Sequence, residues 1–432
     1  MSLSNHTSQK SKPRGKKSKP ENPIIAAVRQ WLTSLPPQAQ SWSTDDELKT
    51  ILDEQTPKRY TTYTPMVLLP SGSFNKGHWP SILSHPDVGD EKLHQLWEAI
   101  LQEILKTGVG KVSHLAVNEG IPPQTDPKSE ETCESQGESE NILRTPGGLR
   151  ILHGDFGPSI NPTTPSTEDF EAAFWVSTKQ NGIFQTWAPR WTMFSRGNIK
   201  EKTRLLEFYS KNDGEQSPLH RGRPDGTTAV DLYAGIGYFT FSYAKLGMKV
   251  LCWELNPWSV EALRRGAVAN GWKVKVVQGA DLELPSAQLF TGEEQIIVFL
   301  QDNREAARGF DEMCKSEPFL RHTSAEPVRS KIDLKISHIN GGLLPTSEPS
   351  WRTAWDILAA DSNAWLHLHE NVGVKDIENR SAEIERMFQD WAADANDGRG
   401  AKVEHVELVK TYAPDVWHCV FDVHITAARR PM

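Results

Sequence analysis

A doubly wound α/β domain preceded by a smaller α+β region is the fold this sequence predicts, and three observations carry the prediction. From residue 227 onward, β-branched and apolar runs alternate with helical periods, the pattern of a mostly parallel sheet covered by helices on both faces. The first run opens into a glycine-rich turn, Ala234-Gly235-Ile236-Gly237, directly before a helical period. The second run ends on a carboxylate, Glu254. With 432 residues, 37% apolar and 24% charged, the chain is long enough for more than one core.

Residues 1–22 form a tail rich in Ser and Pro that carries Lys10, Lys12, Arg14, Lys16, Lys17 and Lys19. Such a tail cannot build a core; it is suited to RNA backbone, to a localisation signal, or simply to solvent. Residues 23–212 read as an α+β region, with a helical period at 91–106 and an apolar run at 65–70. Glu130, Glu131, Glu134, Glu138 and Glu140 mark an acidic, disordered insertion at about 122–141. A helix is expected at 198–210, and a polar linker at 211–225 leads into the third part, residues 213–432.

There, 227–233 is the first strand, 238–246 the first helix with Gly247 as its stop, and 249–253 the second strand. Asn256 can cap a helix that Pro257 begins and Gly271 ends. Further strands are expected at 274–278, 296–300, 331–339, 364–369, 403–409 and 416–425, with helices at 304–315, 351–360 and 381–393.

Composition excludes several classes. No apolar run approaches the roughly 20 residues of a membrane span, and the N-terminus lacks a secretory apolar core, so a soluble, cytoplasmic protein without membrane contact is expected. Cys133, Cys252, Cys314 and Cys419 form no C-x-x-C pair, so neither a disulfide framework nor a zinc knuckle is indicated. His367 and His369, at strand spacing beside Glu370, have no third ligand at a recognisable interval and read as structural, as do His418 and Asp422. No metal is therefore expected. The net charge of −8 excludes blanket attraction to nucleic acid, but Arg190, Arg196, Lys200, Lys202 and Arg204 make a local basic region predicted to face phosphates. Trp187, Trp191 and Phe194 beside it belong either to the core or to a surface that stacks on an unpaired base.

In an open α/β sheet, ligands sit beyond the carboxyl ends of the strands, where strand order reverses. The segment from Asp231 to Gly237 is placed there. Gly235 and Gly237 lack the Cβ that would hold a ligand away from the backbone. A dinucleotide site would carry a third small residue where this chain has Thr240, so a cofactor without pyrophosphate fits better than NAD. Asp231 would repel a phosphate yet can accept from an ammonium or a water. Glu254, 23 residues further on, is placed to accept both hydroxyls of a ribose. The adenine contact belongs at the end of the next strand, where Asp281 competes with Asp302 and Asn303. The second pair is favoured, because it directly precedes a helix that either residue can cap.

The segments Phe194-Ser195-Arg196-Gly197-Asn198-Ile199, Glu201-Lys202, Asp231 to Thr240, Glu254-Leu255-Asn256-Pro257, Leu366 to Asn371 and Tyr412-Ala413-Pro414 resemble, in this order, the class I S-adenosylmethionine-dependent tRNA enzymes. The specific resemblance, from Phe194 to the C-terminus, is to the wybutosine-synthesising aminocarboxypropyltransferase family. It implies a Rossmann-like S-adenosylmethionine-binding domain. It also implies transfer of the 3-amino-3-carboxypropyl group to a tricyclic guanosine at position 37 of phenylalanine tRNA, in the anticodon loop, with methylthioadenosine released. By position, Ser195 and Lys202 resemble contacts to the methionine end, Glu254 the ribose acceptor, Asp302 and Asn303 the adenine contacts, and Arg196 a catalytic residue near the reacting group. A monomer is expected. Two competing readings are a tRNA guanine-N1 methyltransferase acting at the same position, and a scaffold that keeps the cofactor fold without chemistry. Related methyltransferases carry an Asn-Leu-Pro turn where this chain has Asn340-Gly341-Gly342-Leu343-Leu344-Pro345.

Overall fold

The computed structural model describes residues 20–118, 148–161, 163–209, 227–285, 292–315, 319–320, 329–330 and 335–428. The basic residues of the tail, the acidic insertion with Cys133, and the linker at 211–225 lie outside them. Two compact units result, one of residues 20–118 with 150–154, the other of the described residues from 155 on.

In the smaller unit, β1 (Thr61–Tyr63), β2 (Met66–Leu69), β3 (His114–Asn118) and β4 (Leu149–His153) form one sheet in that order. The helix Pro23–Thr33 starts at a cap in which Asn22 accepts from the amides of Ile24 and Ile25, with proline at the first turn. It buries Ile24, Val28 and Leu32 in one cluster with Leu96, Ile100 and Ile104 of the helix Gly89–Leu105. The helical period expected at 91–106 is this second helix.

In the larger unit a short helix, Thr167–Ala172, precedes an antiparallel hairpin, β5 (Val176–Gln180) and β6 (Ile183–Trp187). Its main strands are β7 (Thr228–Asp231), β8 (Lys249–Glu254), β9 (Val274–Val277) and β10 (Ile296–Leu300). A two-residue pair follows, β11 (Phe319–Leu320) with β12 (Arg329–Ser330), and then β13 (Ile336–Gly341), β14 (Ala364–Gly373), β15 (Gly400–Ala413) and β16 (Val416–Thr426). Eight of them make one sheet ordered β15-β16-β14-β13-β7-β8-β10-β9, parallel except where β16 meets its two neighbours. Strand order reverses between β7 and β13, so the switch point lies where the glycine turn leaves β7. β10 lies between β8 and the edge strand β9, with Leu300 opposite Glu254.

Both faces of the central strands β7, β8, β10 and β14 are buried, which is why they read as nearly continuous apolar runs. Val230, Leu251 and Trp253 pack with Trp351, Trp355 and Phe388 on one side. The alternating residues Ala229, Val250 and Cys252 pack with Phe241, Leu263 and Leu205 on the other. Asn256 caps the helix Pro257–Ala269 through the Trp258 amide, and Gly271, at a φ of 79°, follows its end.

Two expectations are corrected, and one alternative is resolved. Residues 155–209 belong with the sheet rather than with the N-terminal region, because the hairpin bonds to the helix Pro257–Ala269: Phe184 donates to Asn270 Oδ1 at 2.9 Å, and Asn270 Nδ2 returns a bond to the Phe184 carbonyl at 2.7 Å. Of the two readings of Trp187 and Trp191, the structure bears out the core one: both are buried, and Trp191 stacks on Trp258 at 5.0 Å. The basic run at 190–204 is not one surface, since Lys202 and Arg204 turn inward.

Arg204, on the helix Ile199–Glu207, bonds Glu201 at 2.7 Å and Asp422 of β16 at 2.5 Å. Asp422 accepts from His367 at 2.6 Å, and the chain continues through His338 at 2.8 Å to the Tyr209 hydroxyl at 2.5 Å. His367 thus has the structural place the sequence suggested for it, and His338 joins it. Burial alone would raise the Asp422 carboxyl, but His367 and Arg204 outweigh it and bring it down to about 2. Because that value lies below the ordinary 3.8, the group's stabilisation is complete above about pH 4 and is lost as pH falls toward 2. Asp422→Ala leaves Arg204 with Glu201 alone and His367 without its acceptor, and should lower the unfolding free energy by about 3 kcal/mol in urea titrations at neutral pH. An unchanged midpoint would contradict the role given to this network.

Candidate active site

The switch point is built on Asp231, the last residue of β7, which is fully buried. Its carboxylate accepts from Thr240 Oγ1 at 2.8 Å and from Asn340 Nδ2, at the end of β13, at 3.1 Å. The Tyr233 amide adds a longer bond at 3.4 Å. Burial pushes the carboxyl up, while these donors pull it down. The free acceptor expected at Asp231 is thus committed to protein donors, and the residue shapes the turn. Thr240, which marked the departure from a dinucleotide motif, is one of those donors.

Gly235 and Gly237 take left-handed backbone angles, φ of 53° and 87°. A Cβ on Gly237 would lie 2.6 Å from the Phe241 ring, so only glycine fits there. The Gly235 amide donates to Glu254 Oε2 and the Asn256 amide to Oε1, both at 2.8 Å. Glu254, at the tip of β8, is therefore oriented by backbone from two sides. Burial raises its carboxyl and the amides oppose that shift, while each oxygen keeps a lone pair for a hydroxyl.

Because β10 adjoins β8, Asp302 and Asn303 follow the strand next to Glu254. Asp302 caps the turn Asn303–Glu305 through the Arg304 amide at 2.9 Å. Its carboxyl is held below the usual range by the Arg304 guanidinium. Asn303 donates to the Leu232 carbonyl at 2.8 Å, which joins the ends of β10 and β7. Asp281 sits beyond the edge strand β9, paired with Lys275 at 3.2 Å. The topology thus favours Asp302 and Asn303 over Asp281 for the position beside Glu254.

Ser195 stands in the N-cap position of the turn Arg196–Asn198 without making a side-chain capping bond. Its amide donates to the Tyr238 hydroxyl at 3.0 Å, which ties it to the glycine turn. Lys202 is buried: its ammonium donates to Gln180 at 2.8 Å and Gln185 at 2.7 Å, and lies 4.9 Å from the centre of the Phe194 ring. Burial brings it down to about 7. Gln185 in turn donates to the Gly237 carbonyl at 3.2 Å, so Lys202 is one side chain removed from the turn. Arg196 is exposed.

Sequence reasoning missed two groups here. Lys410 of β15 reaches Ser195 Oγ and Asn198 Oδ1, each at 3.4 Å, a meeting that only the fold creates. Among the described residues, Asn340 Oδ1 is buried with no hydrogen-bond partner, an acceptor left over at the switch point. The asparagine at the head of the Gly-Gly loop was the available signal. A small-residue cradle, an oriented carboxylate and a leftover acceptor suit a nucleoside with an amino-acid arm. A phosphate, facing Asp231 and Glu254, is disfavoured.

No family model matches this chain. It is 39% identical over 378 residues to the tRNA wybutosine-synthesizing protein 2 of Schizosaccharomyces pombe, covering 87% of this chain and 74% of that one. It is 31% identical over 407 residues to the protein of the same name in Saccharomyces cerevisiae, covering 86% and 75%. A solved structure described as Pyrococcus horikoshii TYW2 in complex with MeSAdo shares the fold, with a TM-score of 0.51 at 17% identity over 94% of this chain and 100% of that one. Likeness at this level across most of both yeast chains, on an α/β sheet of the doubly wound kind, makes this chain a member of the tRNA wybutosine-synthesizing protein 2 family.

Proposed function

We propose that this chain transfers the 3-amino-3-carboxypropyl group of S-adenosylmethionine to a tricyclic, wyosine-type guanosine at position 37 of phenylalanine tRNA, acting in the cytoplasm as a monomer. The observation that carries the reading is membership of the wybutosine-synthesising family at 39% identity, joined to a switch-point turn whose residues suit a nucleoside cofactor.

A sulfonium offers three carbons, and a nucleophile takes whichever is held in line behind its C–S bond. Regiochemistry is therefore a matter of pose. In this reading Glu254 accepts the ribose hydroxyls, Asp302 and Asn303 meet the adenine, and Gly235 and Gly237 shape the turn against which the cofactor lies. Ser195 and Lys202, with Lys410 beside them, hold the amino-acid arm so that its Cγ faces the base, and Arg196 stands near the acceptor. The bond between Cγ and sulfur breaks with its electron pair left on sulfur, giving methylthioadenosine. The new bond joins Cγ to the acceptor atom of the base, which gives up a proton.

Nucleoside analysis after incubation with hypomodified phenylalanine tRNA tests the reading: methylthioadenosine should accumulate, whereas S-adenosylhomocysteine would mark methyl transfer and overturn it. A second outcome concerns pH. Lys202 is charged only below about 7, and an ammonium favours a carboxylate, so cofactor affinity should tighten as pH falls through 7, by at most about tenfold per unit. Lys202→Met should flatten this dependence in calorimetric titrations; a profile unchanged by the substitution would remove Lys202 from the arm. A third outcome concerns RNA. Arg196 and Lys200 remain on the surface, so Arg196→Glu combined with Lys200→Glu should weaken tRNA binding and reduce its salt slope by about one unit per lost phosphate contact. An unaltered binding curve would place the tRNA elsewhere.

A further inference from the structure

The smaller unit gathers three metal-ligating side chains that take no part in the site above. His94 and Glu98 stand four residues apart on the helix Gly89–Leu105, hence on one face. His153 is the last residue of β4. One ligand atom from each lies within 4.8 Å of the others. The His94 and His153 rings are 4.7 Å apart and inclined at 54°, and His94 Nδ1 is 3.7 Å from the Glu98 carboxylate.

Both supports are fixed by the fold. The helix is anchored by the buried residues Trp97, Ile100, Leu101 and Ile104, while His94 and Glu98 remain exposed and able to rotate. β4 is anchored where Arg150 donates to the Ser73 carbonyl. Two imidazoles and a carboxylate are a donor set that Zn²⁺ accepts in tetrahedral geometry with a water in the fourth position. Metal–ligand bonds of about 2.0–2.2 Å draw such atoms closer than they stand here, a shift that rotation of the exposed His94 and Glu98 side chains can supply.

We propose that His94, Glu98 and His153 bind a divalent transition-metal ion, Zn²⁺ by the chemistry of the donors, which staples β4 to the helix Gly89–Leu105. The staple closes a long loop, because 54 residues lie between Glu98 and His153. It stabilises the smaller unit by mass action, since the unfolded chain does not hold the three ligands together.

The test uses the full chain, stripped with a chelator and titrated with Zn²⁺ against a chromophoric competitor, and separately with Co²⁺ followed by visible absorption. One equivalent should bind, with the intense Co²⁺ bands of a four-coordinate site, and Zn²⁺ should raise the melting temperature. Glu98→Gln and His153→Ala should each weaken binding by at least about tenfold, since even a change behind the ligands costs that much. Glu98→Gln alters an exposed side chain at constant volume, so the test stands even if His153→Ala fails to fold. Absence of a bound equivalent in the parent protein, or affinity unchanged in Glu98→Gln, would overturn the proposal.

Discussion

Arg204 is a cation withdrawn from water and held by two carboxylates from different elements, Glu201 on its own helix and Asp422 on β16. Removing a charge from solvent is costly, and only close, hydrogen-bonded partners offset that cost. The pairing therefore permits very little movement of the helix Ile199–Glu207 over the sheet. Lys202 lies on that helix and Ser195 just before it, so their approach to the glycine turn inherits its precision from an ion pair that touches no ligand. The buried series Asp422, His367, His338 and Tyr209 extends the same constraint across β16, β14 and β13.

A second polar knot operates at the switch point. Asp231 binds Thr240 and Asn340, which fixes the end of β7 to the helix after the turn and to the end of β13. Glu254 binds the amides of Gly235 and Asn256, which fixes the turn to the tip of β8. The backbone is thus shaped before any ligand arrives, and binding then orders few groups. Among the described residues, Asn340 also keeps one buried oxygen without a partner at the end of β13.

What the sequence disclosed follows from the range of the signal. The turn, its caps and the strand ending at Glu254 rest on residues a few positions apart, and they were legible. The placement of β10 inside β9 was not, because it depends on tertiary pairing rather than on either strand's composition. The run from Lys200 to Arg204 read as a solvated, basic face, yet Glu201, Lys202 and Leu205 are its buried stripe, their charges met by Arg204, Gln180 and Gln185. Polar residues on a buried stripe look the same in sequence as polar residues in water. Lys410 reaches Ser195 across 215 positions, and His153 reaches Glu98 across 55, distances over which no local pattern signals a contact. The boundary expected near residue 213 failed for a related reason: the polar stretch there resembles a linker, while the hairpin before it is bound to the sheet domain.

Central to the proposed reaction is that the Asp231-to-Gly237 turn and Glu254 hold S-adenosylmethionine with its amino-acid arm, and not its methyl group, directed at the RNA. A crystal structure of the chain with S-adenosylmethionine bound tests this most directly. Ribose hydroxyls are expected within hydrogen-bond distance of Glu254, with Cγ open toward the acceptor side. A ribose away from Glu254, or a methyl group in the Cγ position, would contradict it.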